Sequence, residues 1–525
     1  MTSDKPSAFE RLGASLVGLG SVLAGKTLIA CKLRRRPEGW RRTLGILLRS
    51  EPTRFALSAF GVRIPVAPAA NQHSKSVETE IAGQLQKYLS GQPDAHFQLE
   101  WHDEITIRRR TASVDVVLLR FEDNGELNDV EPHLADASAV GLGETLREAL
   151  HRSVVAAYNQ TKLLPEIDRT LRLRKEVEQA CASIEDRHAQ VEASRYAHRL
   201  LSACCLSFED VTLADSTARF RPPDFRARRT LGFGFLNVVM RVAADRHSVD
   251  VWCSAHHVGL DGVPLQELVA GLERAWGVAQ PVAFPPADNG RAFMEPRRCS
   301  CSGERDVDEM LVFVDFSPVF ALRDALNARL AGAVGRPITF GALLAWLLSG
   351  EPEFAGVRVA STVDVAASGG YDRDVDVVPL RPADFAAAGD PWVGLVAFAK
   401  EFNRLITLSR MRTSPLRQGM QTAGLLPAWA HAQVVRANPA ALDDTFGSLC
   451  VTIVRDAKVF VAPMTDLGLG HGFFAVGSAE LPSADGGRVT AVSIKGDAGR
   501  IGGHAAVLQR LITRCAALTK NAAEV

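Results

Sequence analysis

The sequence predicts an α/β protein of two lobes, each a mixed β-sheet covered by helices, and three observations lead to this class. A strand pattern, a glycine-containing turn and a helix pattern follow one another over residues 249–272, and the same order returns over residues 489–511. Residues 277–306, between the two copies, are rich in proline, glycine and charge, which indicates a boundary. A chain of 525 residues with 47% apolar residues is long enough to bury two cores.

The chain divides on this basis into four segments. Residues 1–80 form an apolar and basic leader that ends in a linker, and residues 81–290 form the first lobe. Residues 291–306 are a second linker, and residues 307–525 form the second lobe. Each lobe then holds one copy of the strand–turn–helix pattern.

Residues 12–42 combine the most apolar run near the N-terminus with a basic flank that includes Arg34, Arg35 and Arg36. Because the basic residues follow the apolar run, the order is the reverse of that in a signal peptide. Two interpretations stay open. The run forms a small-residue helix packed on the protein, or it lies on a membrane surface with its basic flank on anionic headgroups.

Charge and cysteine usage narrow the classes of partner and compartment. Sixty basic residues balance sixty acidic residues, so no net field favours a nucleic-acid partner. The nine cysteines are odd in number and show no metal-ligand spacing. We therefore expect reduced thiols in a cytoplasmic protein without a metal site, which associates with membranes only if the leader binds a surface.

The first lobe is predicted to contain strands from about residue 97 onward. Residues 114–121 have the continuous apolar run of a buried strand, and residues 139–158 repeat apolar side chains with a helical period. Residues 166–200 are predicted to form one long charged helix. Apolar side chains recur along it at alternating intervals of four and three residues, as in a seam that packs on another helix, namely Val177, Cys181, Ile184, His188 and Val191.

Residues 249–262, V-D-V-W-C-S-A-H-H-V-G-L-D-G, are the stretch around which the chain is organised. Alternating apolar residues predict a strand that ends near His257, and Gly259 and Gly262 allow a turn. A helix pattern follows, with Pro264 where a first helical turn tolerates proline. Two histidines and an aspartate therefore lie at a strand-to-helix junction, where scaffolds often present functional side chains.

The second half begins again with a predicted strand at residues 310–316 and helices at 318–331 and 339–348. When its C-terminal strand–turn–helix copy is laid over the first copy, Ile501-Gly502-Gly503 meets Leu260-Asp261-Gly262, and Ala498 meets His257. The second copy thus keeps the predicted architecture but lacks the histidines and the aspartate.

His256, His257, Asp261 and Gly262 spell HHxxxDG, and this motif in its strand–turn–helix context resembles the CoA-dependent acyltransferase superfamily. That superfamily includes chloramphenicol acetyltransferase, the catalytic domains of dihydrolipoyl acyltransferases, peptide-synthetase condensation domains and wax ester/diacylglycerol acyltransferases. Its bilobal members carry the motif in the first lobe and place a degenerate second lobe against it. The resemblance therefore implies two chloramphenicol-acetyltransferase-like lobes with a site in a tunnel between them.

The resemblance also implies a role for each motif residue. His257 is expected to be the general base, since an imidazole with a pKa of about 6.5 titrates close to working pH. His256 is a supporting residue, and Asp261, followed by Gly262, holds the loop. Thr452, in a stretch similar to the end of dihydrolipoyl acyltransferase domains, overlays a hydroxyl that supports the thioester oxyanion. Acyl-CoA is implied as a co-substrate, without a bound cofactor or metal.

Several alternatives stay open at the level of the sequence. The donor is an acyl-CoA or an acyl-carrier thioester, and the acceptor is a hydroxyl, amine or thiol on a small molecule or a lipid. Two packed imidazoles and an Asp-Gly turn would explain the motif without chemistry, and Thr452 suits any strand. The arginines of residues 216–230 either contact CoA phosphates or form a solvated face. A catalytically retired scaffold of this fold is the alternative to an enzyme.

Overall fold

The computed structural model describes most of the chain from residue 57 to residue 524. The described residues are 57–65, 75–92, 95, 97–101, 105–109, 114–135, 141–162, 164, 166–209, 223, 230–232, 236–242, 248–256, 262–276, 299–302, 305–365, 374–386, 391–411, 413–414, 418, 426–427, 430, 433, 447–461, 472–483, 486–497 and 501–524. Residues 12–42, predicted either to pack on the protein or to lie on a membrane surface, are outside them. None of the described helices is long and apolar enough to cross a membrane.

The first half of the chain alternates strands and helices. In chain order these are β1 (Leu57–Pro65), α1 (Lys75–Ser90), β2 (Phe97–Trp101), β3 (Ile105–Arg109), β4 (Val116–Phe121), β5 (Leu127–His133), α2 (Glu144–Thr161), α3 (Glu166–Ala182), α4 (Arg187–Ser202), β6 (Cys204–Glu209), β7 (Leu236–Val242), β8 (Ser248–His256) and α5 (Gly262–Trp276). Strands β2 and β3 form a separate hairpin, and the others enter a central sheet.

The second half repeats the alternation. Its elements are β9 (Cys299–Ser302), β10 (Arg305–Val314), α6 (Ser317–Val334), α7 (Phe340–Ser349), β11 (Val359–Val365), β12 (Asp374–Leu380), α8 (Pro391–Arg410), β13 (Leu449–Val454), β14 (Val459–Val461), β15 (Gly472–Gly477), β16 (Leu481–Pro482), β17 (Arg488–Asp497) and α9 (Ile501–Glu524). Two short 3-10 helices cover Pro352–Phe354 and Pro382–Phe385.

The two central sheets have the same pattern of strand directions. The first sheet has the order β14-β1-β8-β7-β6-β4-β5, and the second has the order β9-β10-β17-β15-β13-β11-β12, with β16 added on β17. In both orders the first three pairs are antiparallel, the next two are parallel and the last is antiparallel. The predicted fold class, two mixed sheets covered by helices, is confirmed.

The strand registers extend the repeat to single residues. In the first sheet Cys205 pairs with Asn237, which pairs with Ser254. In the second sheet Cys450 pairs with Phe473, which pairs with Lys495. If the two cysteines are equivalent, Ser254 corresponds to Lys495, which is the same alignment as the predicted overlay of His257 on Ala498.

A pair of prolines supports this alignment from the opposite edge of each sheet. Pro132 of β5 pairs with Val117, which pairs with Cys205, and Pro379 of β12 pairs with Ala360, which pairs with Cys450. Both prolines follow an Asp-Val-x sequence on the last strand of their sheet. Proline is tolerated on such edge strands because no neighbouring strand requires its missing N–H.

The first sheet begins earlier in the chain than predicted. Strand β1 lies within the predicted leader and pairs with β8 from Leu57↔His256 to Pro65↔Ser248, and α1 begins at Lys75, inside the predicted linker. Strand β14 of the second half also joins this sheet through β1. The linker at residues 291–306 therefore does not divide the two sheets cleanly. Strand β1 has nine residues, but its partners β8 and β14 are far away in the sequence, so local patterns do not reveal its place in the sheet.

The predicted long helix over residues 166–200 is wrong, because two helices, α3 and α4, occupy this stretch. The Asp186 side chain accepts a hydrogen bond from the Ala189 N–H at 2.7 Å and caps the start of α4. Cys181 is buried, as a seam residue should be, but His188 is exposed and Val191 is 45% exposed. The break therefore ends the predicted seam after α3.

Candidate functional site

Strand β8 brings the HHxxxDG motif to the centre of the first sheet. Trp252 and Cys253 are fully buried, and Ser254 is 1% exposed, because β8 lies between β1 and β7 and is covered on both faces. His256 is the last residue of the strand, and its backbone pairs with Leu57. The side chain of His256 and all of residues 257–261, which include His257 and Asp261, lie outside the described part of the chain.

Gly262 is the first residue of helix α5. A Cβ atom on Gly262 would lie 3.7 Å from Cζ of Phe60, an ordinary contact, so packing alone does not require glycine there. The strand-to-helix junction predicted around the motif is present, with β8 ending at His256 and α5 beginning at Gly262. The catalytic roles of the motif residues stay predictions.

Helix α5 is fixed on the first lobe by its apolar face and by Tyr88 of α1. Leu265 and Leu272 are fully buried, and Tyr88 Oη donates a hydrogen bond to the carbonyl oxygen of Leu268 at 2.7 Å. A Cβ atom on Gly271 would lie 2.4 Å from Tyr88 Oη, so glycine is needed for this approach. Burial raises the pKa of Tyr88 to about 12, which keeps the phenol a neutral donor.

Thr452 lies in the middle of β13 and is 8% exposed. Its Oγ1 is hydrogen-bonded to Oγ1 of Thr362 on the neighbouring strand β11. Across the sheet, Thr452 pairs with Ala475, which pairs with Ser493. Ala475 belongs to the same hydrophobic cluster as the first sheet, whereas the adjacent Phe474 packs in the cluster around the second-lobe helices. Thr452 therefore lies on the face of the second sheet that is turned away from its helices.

A short segment connects Thr452 to the strands that carry the motif. We call residues 455–461 the strap, because it leaves β13 of the second sheet and continues as β14 in the first. Phe460 on the strap pairs with Phe60 of β1, and their rings stack with centroids 5.8 Å apart. A Cβ atom on Gly477 would lie 2.6 Å from the carbonyl oxygen of Ala457, so glycine is required where the strap crosses β15. The order β14-β1-β8 therefore brings the chain leaving Thr452 within two strands of His256.

Buried thiols near these strands are held neutral. Burial raises the pKa of Cys205, Cys253 and Cys450 to about 12. A thiol, unlike a thiolate, is a poor nucleophile, so these cysteines pack as small apolar residues. Among the described residues no group of three or more His, Cys, Asp or Glu side chains is arranged to hold a metal ion.

Sequence reasoning did not single out three polar residues, namely Thr362 on β11, Gln266 on α5 and Lys495 on β17. Thr362 was missed because its contact with Thr452 depends on the pairing of two strands that are distant in sequence. Gln266 was missed because its partner is a backbone carbonyl of the strap. Lys495, only 3% exposed, could have been found from the sequence, because alternation along its strand places it on the same face as Ser493.

Similar solved structures cover nearly the whole chain. A trichothecene 15-O-acetyltransferase from Fusarium sporotrichioides is 9% identical with a TM-score of 0.46, over 91% of this chain and 94% of that one. The first condensation domain of the CDA synthetase is 12% identical with a TM-score of 0.42, over 93% and 96%. A wax ester synthase/diacylglycerol acyltransferase from Marinobacter aquaeolei is 10% identical with a TM-score of 0.39, over 93% and 100%. No protein-family model matches the sequence, and no curated protein matches it by sequence.

Proposed function

We propose that the protein is an acyltransferase that moves an acyl group from a CoA or carrier thioester to a hydroxyl, amine or thiol acceptor. The observation that carries the proposal is the HHxxxDG sequence between β8 and α5, at the centre of a sheet whose repeat in the second lobe lacks the motif. One copy with the motif and one without it is the arrangement that the resemblance to bilobal acyltransferases implies. Because the leader is apolar, the proposal includes a lipid as one class of acceptor. It also includes a cytoplasmic location with association to a membrane.

The chemistry assigns a proton transfer to His257. The imidazole takes the proton of the acceptor as the acceptor heteroatom forms a bond to the thioester carbonyl carbon. The carbonyl electron pair moves to oxygen, where the Thr452 hydroxyl donates to the developing charge. When the carbon–sulfur bond breaks, the thiolate takes the proton from the imidazolium. The products are the acylated acceptor and a free thiol, and His257 returns to its neutral form.

The pair of threonine hydroxyls supports this use of Thr452. A hydroxyl has one proton to donate and two lone pairs that accept. If Thr362 donates to Thr452, the proton of Thr452 is free for the oxyanion. Thr362 would then hold the hydroxyl of Thr452 in the donating direction.

The test is release of free thiol from a panel of acyl-CoAs with added alcohols, amines and thiols. We expect His257→Ala to lower the rate by at least about a hundredfold, the lower end of the range for loss of a general base. His188→Ala, at an exposed position on α4, is the matched control and should keep the wild-type rate. A His257→Ala protein with full activity would remove the assignment. No release from any protein with CoA or carrier donors would indicate a retired scaffold.

A further inference from the structure

Helix α5 contacts the strap through a buried glutamine. Gln266 is 9% exposed, and its Nε2 donates a hydrogen bond to the carbonyl oxygen of Asp456 at 3.1 Å. Gln266 lies one helical turn beyond Gly262, so the contact is at the end of α5 that adjoins the HHxxxDG segment. Asp456 follows Thr452 by four residues. The hydrogen bond therefore joins the two parts of the chain that carry the proposed base and the proposed oxyanion donor.

A second contact lies two helical turns further along α5. Glu273 Oε1 forms an ion pair with Lys458 Nζ, and the side chain of Glu273 is 14% exposed. Residues seven apart lie on the same face of a helix, about 10 Å apart along its axis. Two contacts at this separation fix the direction of α5 against the strap as well as its position.

The second lobe holds the same point of the strap from the other side. Asp456 has a φ of 56°, a left-handed conformation that glycine adopts most readily and that aspartate and asparagine adopt occasionally. Its N–H donates to Ser478 Oγ at 2.8 Å, and the N–H of Ser478 donates to the carbonyl oxygen of Val454 at 2.9 Å. The Asp456 peptide groups are thus held by the second lobe through N–H and by α5 through the carbonyl.

We propose that Gln266 is a positioning residue that sets the geometry between the HHxxxDG segment and Thr452 by holding α5 on the strap. The Lys458–Glu273 ion pair assists by fixing the direction of the helix. This inference rests on the proposed acyl transfer. Gln266 acts through His257 and Thr452, since small displacements of catalytic groups from remote changes cost up to about a hundredfold in rate.

The test compares Gln266→Met with Gln190→Met. Methionine keeps the length and volume of glutamine but removes the amide donor. Gln190 Nε2 also donates to a backbone carbonyl, that of Ala182 at 3.2 Å, but on α4 and away from the strap. We expect Gln266→Met to lower kcat for thiol release about tenfold with KM unchanged. Gln190→Met should leave both unchanged.

Hydrogen exchange supplies a readout that does not depend on activity. Gln266→Met should accelerate exchange in residues 264–270 and in residues 455–461 together, and Gln190→Met in neither. Faster exchange throughout both lobes would show a general loss of stability and would overturn the positioning role. Wild-type exchange and wild-type kcat in Gln266→Met would overturn it as well.

A second pair of variants covers the ion pair. Lys458→Met should lower kcat only about twofold, because the lysine is 42% exposed and such pairs are weak. Lys162→Met, which removes the Lys162–Glu126 pair at 3.1 Å, is its control. If His257→Ala is fully active, the proposed function fails. If His257→Ala is inactive while Gln266→Met matches Gln190→Met, only the positioning inference fails.

Discussion

The two threonines that pair across β11 and β13, Thr362 and Thr452, are the residues on which the proposed oxyanion contact depends. Thr452 by itself is a β-branched residue that suits any strand. Its neighbour Thr362 gives its hydroxyl a fixed partner on a mostly buried sheet face, where hydrogen bonds are stronger than in water. The role that we propose for Thr452 therefore depends on the pair.

Removing each hydroxyl separately tests this pair. We expect Thr452→Val to lower kcat about a hundredfold, since one oxyanion donor is lost. Thr362→Val should lower kcat less, about fivefold, because a hydrogen bond that only orients another group is worth about 1 kcal/mol. Thr362→Ser keeps the hydroxyl and should stay near wild type. Steady-state thiol release measures all three, and an unchanged Thr452→Val would contradict the oxyanion role.

Stability below neutral pH is expected to depend on His151, a half-buried histidine of the first lobe. His151 Nε2 lies 2.6 Å from Tyr196 Oη, and burial lowers the pKa of His151 below its usual value. The unfolded chain therefore binds a proton at His151 more readily than the folded chain does. The contribution of neutral His151 to the free energy of unfolding is present above a pH of about 6.5, and it is lost as the pH falls toward the lower pKa of the folded state. His151→Gln should flatten the fall in unfolding free energy from urea titrations between pH 7.5 and 5.5. An unchanged slope in His151→Gln would contradict this role.

At the scale of elements, the strap is the segment that packs between the two lobes and connects their sheets. Its residues Ala457, Val459 and Phe460 are each 1% exposed, although they belong to a connection between two strands of the second sheet. The close approach of Gly477 to Ala457 is the packing that permits this crossing. A side chain at residue 477 would push the strap away from β15.

Gly477→Ala should therefore destabilise the protein. The added methyl group must displace backbone, and overpacking of this kind costs about 1–3 kcal/mol. Gly503→Ala in α9 is the control, because no atom lies within 4 Å of the added Cβ atom and alanine favours a helix by about 0.5–1 kcal/mol. Thermal unfolding should show a lower Tm for Gly477→Ala and an equal or higher Tm for Gly503→Ala. Equal Tm values for Gly477→Ala and wild type would contradict a requirement for glycine, because the strap would then move to accommodate the methyl group without loss of stability.

At the scale of the whole molecule, two similar lobes are joined by a strand that the second half contributes to the first sheet. The second half supplies β14 to the first sheet, and one hydrophobic cluster contains residues of both halves, such as Leu118 and Ala491. Helix α5 of the first half also makes polar contacts with the strap of the second half. The halves are therefore expected to behave as one cooperative body.

Cutting the chain between the halves tests that expectation. A protease recognition sequence inserted into residues 291–298 would allow cleavage of the purified protein. We expect both fragments to elute together in size-exclusion chromatography, because β1–β14 pairing and the shared apolar cluster do not depend on chain continuity. Separate elution without denaturant would contradict a shared core.

The sequence by itself determined the class of fold, the junction that holds the motif and the repeat that relates the lobes. These follow from local signals: alternation along β8 and β17, the glycine-containing turns after them, and the apolar faces of α5 and α9. The alignment of His257 on Ala498 also came from local order, and the strand registers reproduce it.

The tertiary structure alone decided which distant residues meet. The leader gave no sign that β1 would lie beside β8, because strand pairing is set by partners far away in sequence. The Thr362–Thr452 pair, the Gln266 contact and the crossing at Gly477 depend in the same way on register and packing. Periodicity specifies which face of an element is apolar, but hydrophobic burial is non-directional and does not specify which face of another element will cover it.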